Sequence, residues 1–303
     1  MVSECRESKR SAGALAVLVA AFFAVSVAGS AGAAPLDASA QRCANGFIKY
    51  SAKVLDTVSK SARSCHMSIG KGGGGGGNDI SDCVLADEKG KLTKANTKTG
   101  LAIDKYCSIP YPMTCPQPCE TLDDGGATTD IDDDPELAAC LQCFNVGIGW
   151  SGSIVNPLLQ GVHGAILKNS TIPTDPIALK CQSSIIGSVS KVLGAKIKSL
   201  TKCIATEFKG GAASPPVNCI ANLSTDSKVG SALVKLGSVV LNCSPPAPFD
   251  GGQCAGLDGA PLVDCMDTII ECRACRWANG IIGGTFDCDA FDNGIVDASC
   301  VTP

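Results

Sequence analysis

Two C-x-x-C pairs are the residues best suited to chemistry in this chain: Cys140 and Cys143 in ELAACLQC, and Cys272 and Cys275 in TIIECRAC. A C-x-x-C pair serves thiol redox reactions in thioredoxin-like folds, and two such pairs can form a four-cysteine zinc site. The redox function requires alternating strands and helices around the motif, and the sequence shows no such alternation. Structural disulfides are therefore the favoured interpretation, with zinc binding and thiol redox chemistry as the alternatives.

Two clusters of acidic residues offer oxygen ligands for a metal. One covers residues 123–136, and the other lies in DCDAFDNGIVD near the C-terminus. The candidate ligands of the second cluster are Asp287, Asp289, Asp292, Asn293 and Asp297. Calcium takes six to eight oxygens, usually from Asp and Asn beside a glycine turn, but neither cluster has the EF-hand spacing. Calcium is the candidate cofactor of the acidic tail, and solvated loop acids are the alternative.

The residue types of a catalytic site are scarce. The chain has two histidines, His66 and His163, and no G-x-S-x-G nucleophile elbow. His66 directly follows Cys65 at a predicted helix end, where a histidine simply favours the helix dipole. The six consecutive glycines at 72–77 do not match a phosphate-binding P-loop, because no Lys-Ser/Thr follows them. These observations argue against an enzyme.

The N-terminus has the pattern of an export signal. A basic stretch ending at Arg10 precedes the apolar run at 12–28, and the small residues Ala31-Gly32-Ala33 follow as a cleavage site. Residues 1–33 are therefore predicted to be a signal peptide. The mature chain is predicted to be secreted or periplasmic, with no membrane association after cleavage. The formal net charge of −4 for the whole chain gives no basis for nucleic-acid binding.

Removal of the signal peptide leaves eighteen of the nineteen cysteines, because only Cys5 precedes the cleavage site. An even number of cysteines in an exported chain predicts a disulfide framework, here of up to nine bonds. Aromatic residues form only 4% of the chain, so a large aromatic core is not expected. Disulfides, each worth about 2–4 kcal/mol, can offset a thin core.

The cysteine spacing repeats along the chain. The pairs that are 22 residues apart are Cys43/Cys65 and Cys181/Cys203, and the pairs that are 24 residues apart are Cys83/Cys107 and Cys219/Cys243. Lys-Val-Leu falls in the same register of both 22-residue segments. The sequence therefore predicts two copies of one module, at 43–143 and 181–275, with a linker at 144–180 and an acidic, cysteine-containing tail at 276–303.

Each module is predicted to be an antiparallel helical hairpin. The 22-residue segments have apolar residues at three- and four-residue steps, and the 24-residue segments are compatible with helices. Helices of these lengths rise about 33 and 36 Å, so their ends meet. The predicted disulfides at the hairpin ends are Cys43–Cys107, Cys65–Cys83, Cys181–Cys243 and Cys203–Cys219. The predicted fold is all-α: two tandem disulfide-stapled hairpins with irregular cysteine-rich loops.

The other cysteines are assigned to the loops by analogy between the modules. Cys140 and Cys143 are expected to reach Cys115 and Cys119, and Cys272 and Cys275 are expected to reach Cys254 and Cys265. Cys288 and Cys300 would then close the tail. The individual pairing within each set of four is left open.

With this pattern assembled, the chain resembles a loose group of exported, cysteine-rich bacterial proteins. The resemblance rests on the repeated segments 43–107 and 181–243, on L-x-x-C-x-x-C at 137–143, and on Cys-Asp-x-Phe-Asp at 288–292. The second copy departs from it, with Ile269 where the first has leucine. The group has no established activity, so the resemblance implies no functional residues. The expected function is a structural or binding role towards a protein or surface partner.

Overall fold

Helices form the regular structure of this chain in a computed structural model of the sequence. The structure describes residues 38–73, 80–87, 89–107, 162, 165–167, 170–209, 219, 223, 226–243, 248–282, 287–289 and 300, all within the unit Pro35–Pro303. Its helices are α1 (Ala38–Gly70), α2 (Ile80–Ala86), α3 (Lys91–Asp104), α4 (Ala165–Leu167), α5 (Pro176–Lys209), α6 (Ser227–Cys243) and α7 (Gly259–Ile282). These residues include no strand, so the predicted all-α fold is confirmed. None of these helices is long and apolar enough to cross a membrane.

Helix α5 is the centre of the fold and packs against α1, α6 and α7. Its apolar residues recur at three- and four-residue steps, as in a helix that buries a wide stripe. The fully buried members are Ile185, Ile186, Val189, Val192, Leu193, Ile197, Leu200 and Ile204. Burying an aliphatic side chain of this size contributes about 1.5–3 kcal/mol, so this stripe is a main source of stability.

Helix α1 has two apolar faces that contact different partners. Ile48 and Leu55 belong to the main core with α5. Val54, Val58 and Ala62 recur at four-residue steps and form a second cluster with α2 and α3. Helix α1 is therefore buried between the second arm of its own module and the central helix of the other module.

The second arm of the first module is two helices and not the single helix predicted between the cysteines at 83 and 107. The chain breaks after α2 at Asp87, whose φ is 38°, and at Gly90, whose φ is 58°. The Asp87 carboxylate accepts hydrogen bonds from the backbone N–H groups of Leu92 (3.0 Å) and Thr93 (2.8 Å). These are among the first N–H groups of α3, which have no partner inside the helix. The break is therefore stabilised by a side-chain cap.

The second arm of the second module also differs from the prediction. Helix α6 begins at Ser227, eight residues after Cys219, and ends at Cys243. Asp226 stands at its N-terminus, where one carboxylate oxygen accepts the backbone N–H of Lys228 (2.7 Å) and the other accepts the Ser199 hydroxyl of α5 (2.6 Å). A single aspartate therefore caps α6 and ties it to α5, which fixes where the helix starts.

The two ends of each hairpin are joined by disulfides in the pairing that the helix lengths predict. The bonds are Cys43–Cys107, Cys65–Cys83, Cys181–Cys243 and Cys203–Cys219, with Cα–Cα distances of 4.5, 5.7, 5.5 and 5.4 Å. Closing loops of 62 and 64 residues contributes about 4 kcal/mol each in the chain-entropy account. The hairpins are thus held covalently at both ends.

The predicted pairing near the C-terminus is wrong. The structure has Cys254–Cys265, Cys272–Cys300 and Cys275–Cys288. The reason is the length of α7, a continuous helix of 24 residues. Its later cysteines lie seven and ten residues beyond the first, about 10 and 15 Å along the axis. The loop before α7 reaches only its first cysteine, and the tail after α7 reaches the other two.

A buried glutamine joins the modules. Gln182 of α5 accepts a hydrogen bond from His66 of α1 (Nε2 to Oε1, 3.0 Å). Its amide nitrogen donates to the carbonyl oxygens of Thr171 (3.2 Å) and Pro248 (2.6 Å). Three partners from different parts of the chain therefore meet at one side chain, and buried polar groups of this kind hold a packing arrangement because they are costly to leave unsatisfied.

Candidate functional site

A groove of about 640 Å³ runs along the first module, between α1 on one side and α2 and α3 on the other. Six lysines line it: Lys53, Lys60, Lys89, Lys91, Lys94 and Lys98. Lys91, Lys94 and Lys98 recur at three- and four-residue steps, so they lie on one face of α3. The lysines of α1 face them across the groove. We call this cavity the α1–α3 groove.

Few negative charges balance these lysines. Lys60 pairs with Asp56 at 2.5 Å, and both side chains are exposed. The other five lysines of the α1–α3 groove form no ion pair within the described ranges. The ammonium groups that line this one cavity repel one another, more strongly beside low-dielectric protein than in bulk water. The groove therefore has a positive potential that an anion would relieve.

The carboxylate of Asp87 lines the groove but is already engaged. It accepts the two backbone hydrogen bonds that cap α3 and a third from the Thr93 hydroxyl (2.9 Å). Burial acts to raise the pKa of Asp87, but the hydrogen bonds from Thr93, Leu92 and Lys91 outweigh burial and hold the pKa below its ordinary value. Asp87 is thus a structural anion that stays charged and keeps the end of α3 in place.

The floor of the groove is apolar. Val84, Ala95 and the disulfide Cys65–Cys83 line it, and these residues belong to the second apolar cluster of α1 or pack against it. Tyr50 closes one end, with the Lys53 ammonium 4.5 Å from its ring centroid. An apolar floor with a cationic rim suits a ligand that carries both an apolar part and a negative charge.

Hydroxyl groups complete the lining. They belong to Thr57, Ser61, Ser64, Ser68 and Thr99. Three of these hydroxyls donate to nearby backbone carbonyls, as Thr57 does to Lys53 (3.0 Å) and Thr99 does to Ala95 (2.9 Å). A hydroxyl that donates to the backbone presents its oxygen lone pairs to the groove, and it can turn to donate to an anion instead.

The candidate calcium ligands are only partly within the described residues. Asp287 accepts the backbone N–H of Asp289 (3.2 Å), and Asp289 accepts the backbone N–H of Cys300 (3.0 Å). Asp292, Asn293 and Asp297 lie outside the described residues. Where the structure describes the chain, no group of three or more potential ligands comes together. Calcium binding at the tail stays a prediction, and the two described carboxylates support the loop closed by the disulfides.

The C-x-x-C cysteines of the second module are both oxidised. Cys272 and Cys275 form separate disulfides with the tail, so neither is a thiolate that could bind zinc or attack another disulfide in this form. The C-x-x-C cysteines of the first module, Cys140 and Cys143, lie outside the described residues, and so do their predicted partners Cys115 and Cys119. The acidic cluster at 123–136 also lies outside the described residues.

His66 does not lie at a helix end, contrary to the prediction. Helix α1 continues to Gly70, and the His66 ring is fully buried against Gln182. The residue therefore joins the two modules. His163 lies outside the described residues.

The groove lysines were missed by reasoning from the cysteine pattern. A signal for them exists in the sequence, since α3 repeats lysine along one face and α1 places Lys53 and Lys60 seven residues apart. What the sequence does not give is that these two faces meet across a cavity.

No family model, no curated protein and no solved structure matches the chain. The chemistry of the groove therefore carries the functional argument.

Proposed function

We propose that this is an exported, disulfide-stabilised binding protein whose α1–α3 groove holds an anionic ligand with an apolar portion. The observation that carries the proposal is the coincidence of six lysines, five hydroxyls and an apolar floor in one groove of about 640 Å³. The hairpin disulfides support it, because Cys65–Cys83 fixes the floor and Cys43–Cys107 fixes the far end of the arms. A pre-formed site loses little entropy when it binds.

The compartment is part of this proposal. Seven disulfides lie among the described residues, and such bonds persist in oxidising compartments. Residues 1–33 supply the signal peptide that export requires. N-terminal sequencing of the protein from the exported fraction is expected to begin at Ala34. Recovery of a chain that still begins at Met1 in a reducing fraction would contradict export.

The binding test uses 8-anilinonaphthalene-1-sulfonate, a small aromatic anion whose fluorescence rises in an apolar site. Wild-type protein is expected to bind it saturably, and 0.5 M sodium chloride is expected to weaken binding because salt screens the lysines. The variant K94E/K98E is expected to bind at least tenfold more weakly. Each reversal removes about 1 kcal/mol of attraction and adds repulsion, and about 1.4 kcal/mol is tenfold in affinity.

The matched control is K180E/K202E, which reverses two exposed lysines of α5 that do not line the groove. It is expected to bind within twofold of wild type, and circular dichroism of all variants is expected to be unchanged. N-phenyl-1-naphthylamine, which has similar rings and no charge, is expected to bind more weakly than the sulfonate. Equal affinity of the two double variants, or tighter binding of the neutral compound, would show that the groove is not an anion site.

A further inference from the structure

A second, smaller groove of about 330 Å³ lies in the second module, between α5 and α6. Lys191 of α5 lines one side, and Lys228 and Lys235 of α6 line the other. Ser188, Ser227 and Ser231 add hydroxyl groups. We call this cavity the α5–α6 groove.

The two grooves occupy the same place in the repeat. On the first arm, Tyr50 and Ser188 are each the seventh residue after the first cysteine of their module, and Lys53 and Lys191 are each the tenth. On the second arm, three lining positions are shared, at sixteen, twelve and eight residues before the last cysteine of the hairpin. They are Lys91, Ala95 and Thr99 in the first module and Ser227, Ser231 and Lys235 in the second.

The repeated Lys-Val-Leu explains how each lysine reaches its groove. In both copies the valine and the leucine are buried, at 0% and 2% exposure in the first and 0% and 1% in the second. Lys53 and Lys191, one residue earlier, are exposed and line the respective cavities. Two buried anchors thus fix the rotation of each helix, and the rotation places a cation at the groove.

The side chains that line the α5–α6 groove differ from those of the first groove. Ala232 is the one residue with an apolar side chain in its described lining, whereas Tyr50, Val84 and a disulfide line the first groove. Lys191 and Lys235 form no ion pair in the part of the chain that the structure describes. Lys228 lies near the Asp226 carboxylate that caps α6, and its charge interacts with that group.

We propose that the α5–α6 groove is a second anion site and that it takes a compact oxyanion of the phosphate class, either inorganic phosphate or a phosphate monoester in solution. Three ammonium groups and three hydroxyls supply donors for several oxyanion oxygens, and the cavity has no aromatic or branched aliphatic side chain in its described lining against which a large apolar group could pack. The duplicated hairpin thus carries two sites, one for an amphiphilic anion and one for a small polar anion. The second site is independent of the function proposed for the first.

The test is a titration of the isotope-labelled full chain with inorganic phosphate, followed by amide NMR at constant ionic strength. Saturable shifts are expected at Ser231 and Lys235 of α6, and sodium chloride at the same ionic strength is expected to cause none. The variant K191E/K235E is expected to weaken phosphate binding at least tenfold. The control K180E/K202E is expected to leave it within twofold, since neither lysine lines the groove.

The two sites can fail separately. In K94E/K98E, sulfonate binding is expected to be lost while the α6 amides still respond to phosphate. If sulfonate binds to wild type as proposed but phosphate shifts are non-saturable, or are equal in K191E/K235E and its control, the second site is wrong and the first stands. If phosphate binds to the α5–α6 groove and sulfonate does not bind, the first site is wrong and the second stands.

Discussion

His66 is a neutral histidine whose protonation state is fixed by its surroundings. The Gln182 amide nitrogen donates to two carbonyls, so its oxygen must accept and His66 Nε2 must carry the proton. The other ring nitrogen, Nδ1, is buried and has no hydrogen-bond partner. A second proton would therefore place an unpaired N–H⁺ in the interior, which is costly.

We expect the stability of the protein to fall as the pH drops below about 6.5. Burial lowers the pKa of His66 below its ordinary 6.5, and the hydrogen bond that His66 donates to Gln182 opposes burial only in part. Between the two pKa values the unfolded chain binds the proton and the folded chain does not, so the free energy of unfolding decreases as the pH falls through this range. Urea denaturation between pH 8 and pH 5 measures this change.

The control is H66Q, which keeps a donor for Gln182 and does not titrate. Its free energy of unfolding is expected to change less over the same range. Asp87, Asp226 and Asp250 do not affect this comparison. Hydrogen bonds hold the pKa of each below its ordinary value, so all three stay ionised above pH 5. An equal loss of stability in wild type and H66Q would mean that His66 is not the responsible group.

For single residues, the sequence predicts the burial of apolar side chains better than the contacts of polar ones. Val54, Leu55, Val192 and Leu193 follow from helical periodicity, and all four are buried. The contact of His66 does not follow, because its partner lies 116 residues away and the bond depends on how two helices cross. Periodicity specifies which face of a helix is buried, but not which polar group it meets.

A buried lysine connects two helices of the second module. Lys196 of α5 is 1% exposed, and its ammonium lies 2.7 Å from an oxygen of Asp267 and 2.5 Å from an oxygen of Glu271, both on α7. The two acids are one helical turn apart, so both carboxylates can contact the same ammonium group. Opposite charges this close in a partly dry site form a stronger pair than they would on the surface.

Replacing Lys196 with methionine is expected to destabilise the protein by about 3 kcal/mol, because two partly buried carboxylates then lose their cation. The matched control is Lys198→Met, an exposed lysine two residues away on α5, with an expected change within about 0.5 kcal/mol. Urea denaturation at pH 7 measures both.

The triple variant K196M/D267L/E271L removes the charges together. It is expected to be more stable than K196M alone, because neither of the carboxylates that lost the Lys196 ammonium remains. A K196M variant as stable as K198M would show that the ion cluster does not hold α7 to α5.

At the scale of elements, helix type and hairpin pairing were predictable, but breaks and lengths were not. The cysteine separations set arm lengths that match, which is sufficient to pair the hairpin ends. The break at Asp87 depends on a carboxylate that caps backbone groups five and six residues later, a contact that periodicity does not encode. The cysteine pairing on α7 was wrong because the helix is longer than the C-x-x-C element suggested.

At the scale of the molecule, the two hairpins share one core. Ile48 and Leu55 of the first module join the same buried cluster as Ile185, Val189 and Leu236 of the second. The sequence shows two repeated modules but does not show whether their apolar faces meet each other or only their own second arms. Helix α1 has two apolar faces, of which one packs against its own second arm and the other packs against the second module. The two modules therefore share a core and do not fold as separate units.

The nesting of the hairpin disulfides has a consequence for chain cleavage. In the first module, the bond Cys43–Cys107 encloses the bond Cys65–Cys83, and the exposed turn at Lys71 lies inside both. Brief trypsin treatment is expected to cut after Lys71 sooner than after the helical lysines, whose backbone must first unfold locally. The cut protein is expected to keep its helical circular dichroism and to migrate as one species until reductant is added.

Separation of the fragments without reductant would contradict this nesting. If both fragments stay joined, the peptide bonds between Cys65 and Cys83 are dispensable for the integrity of the folded molecule. The protein would then survive a nicking protease as a two-chain form, in which disulfides are the covalent link between the two pieces.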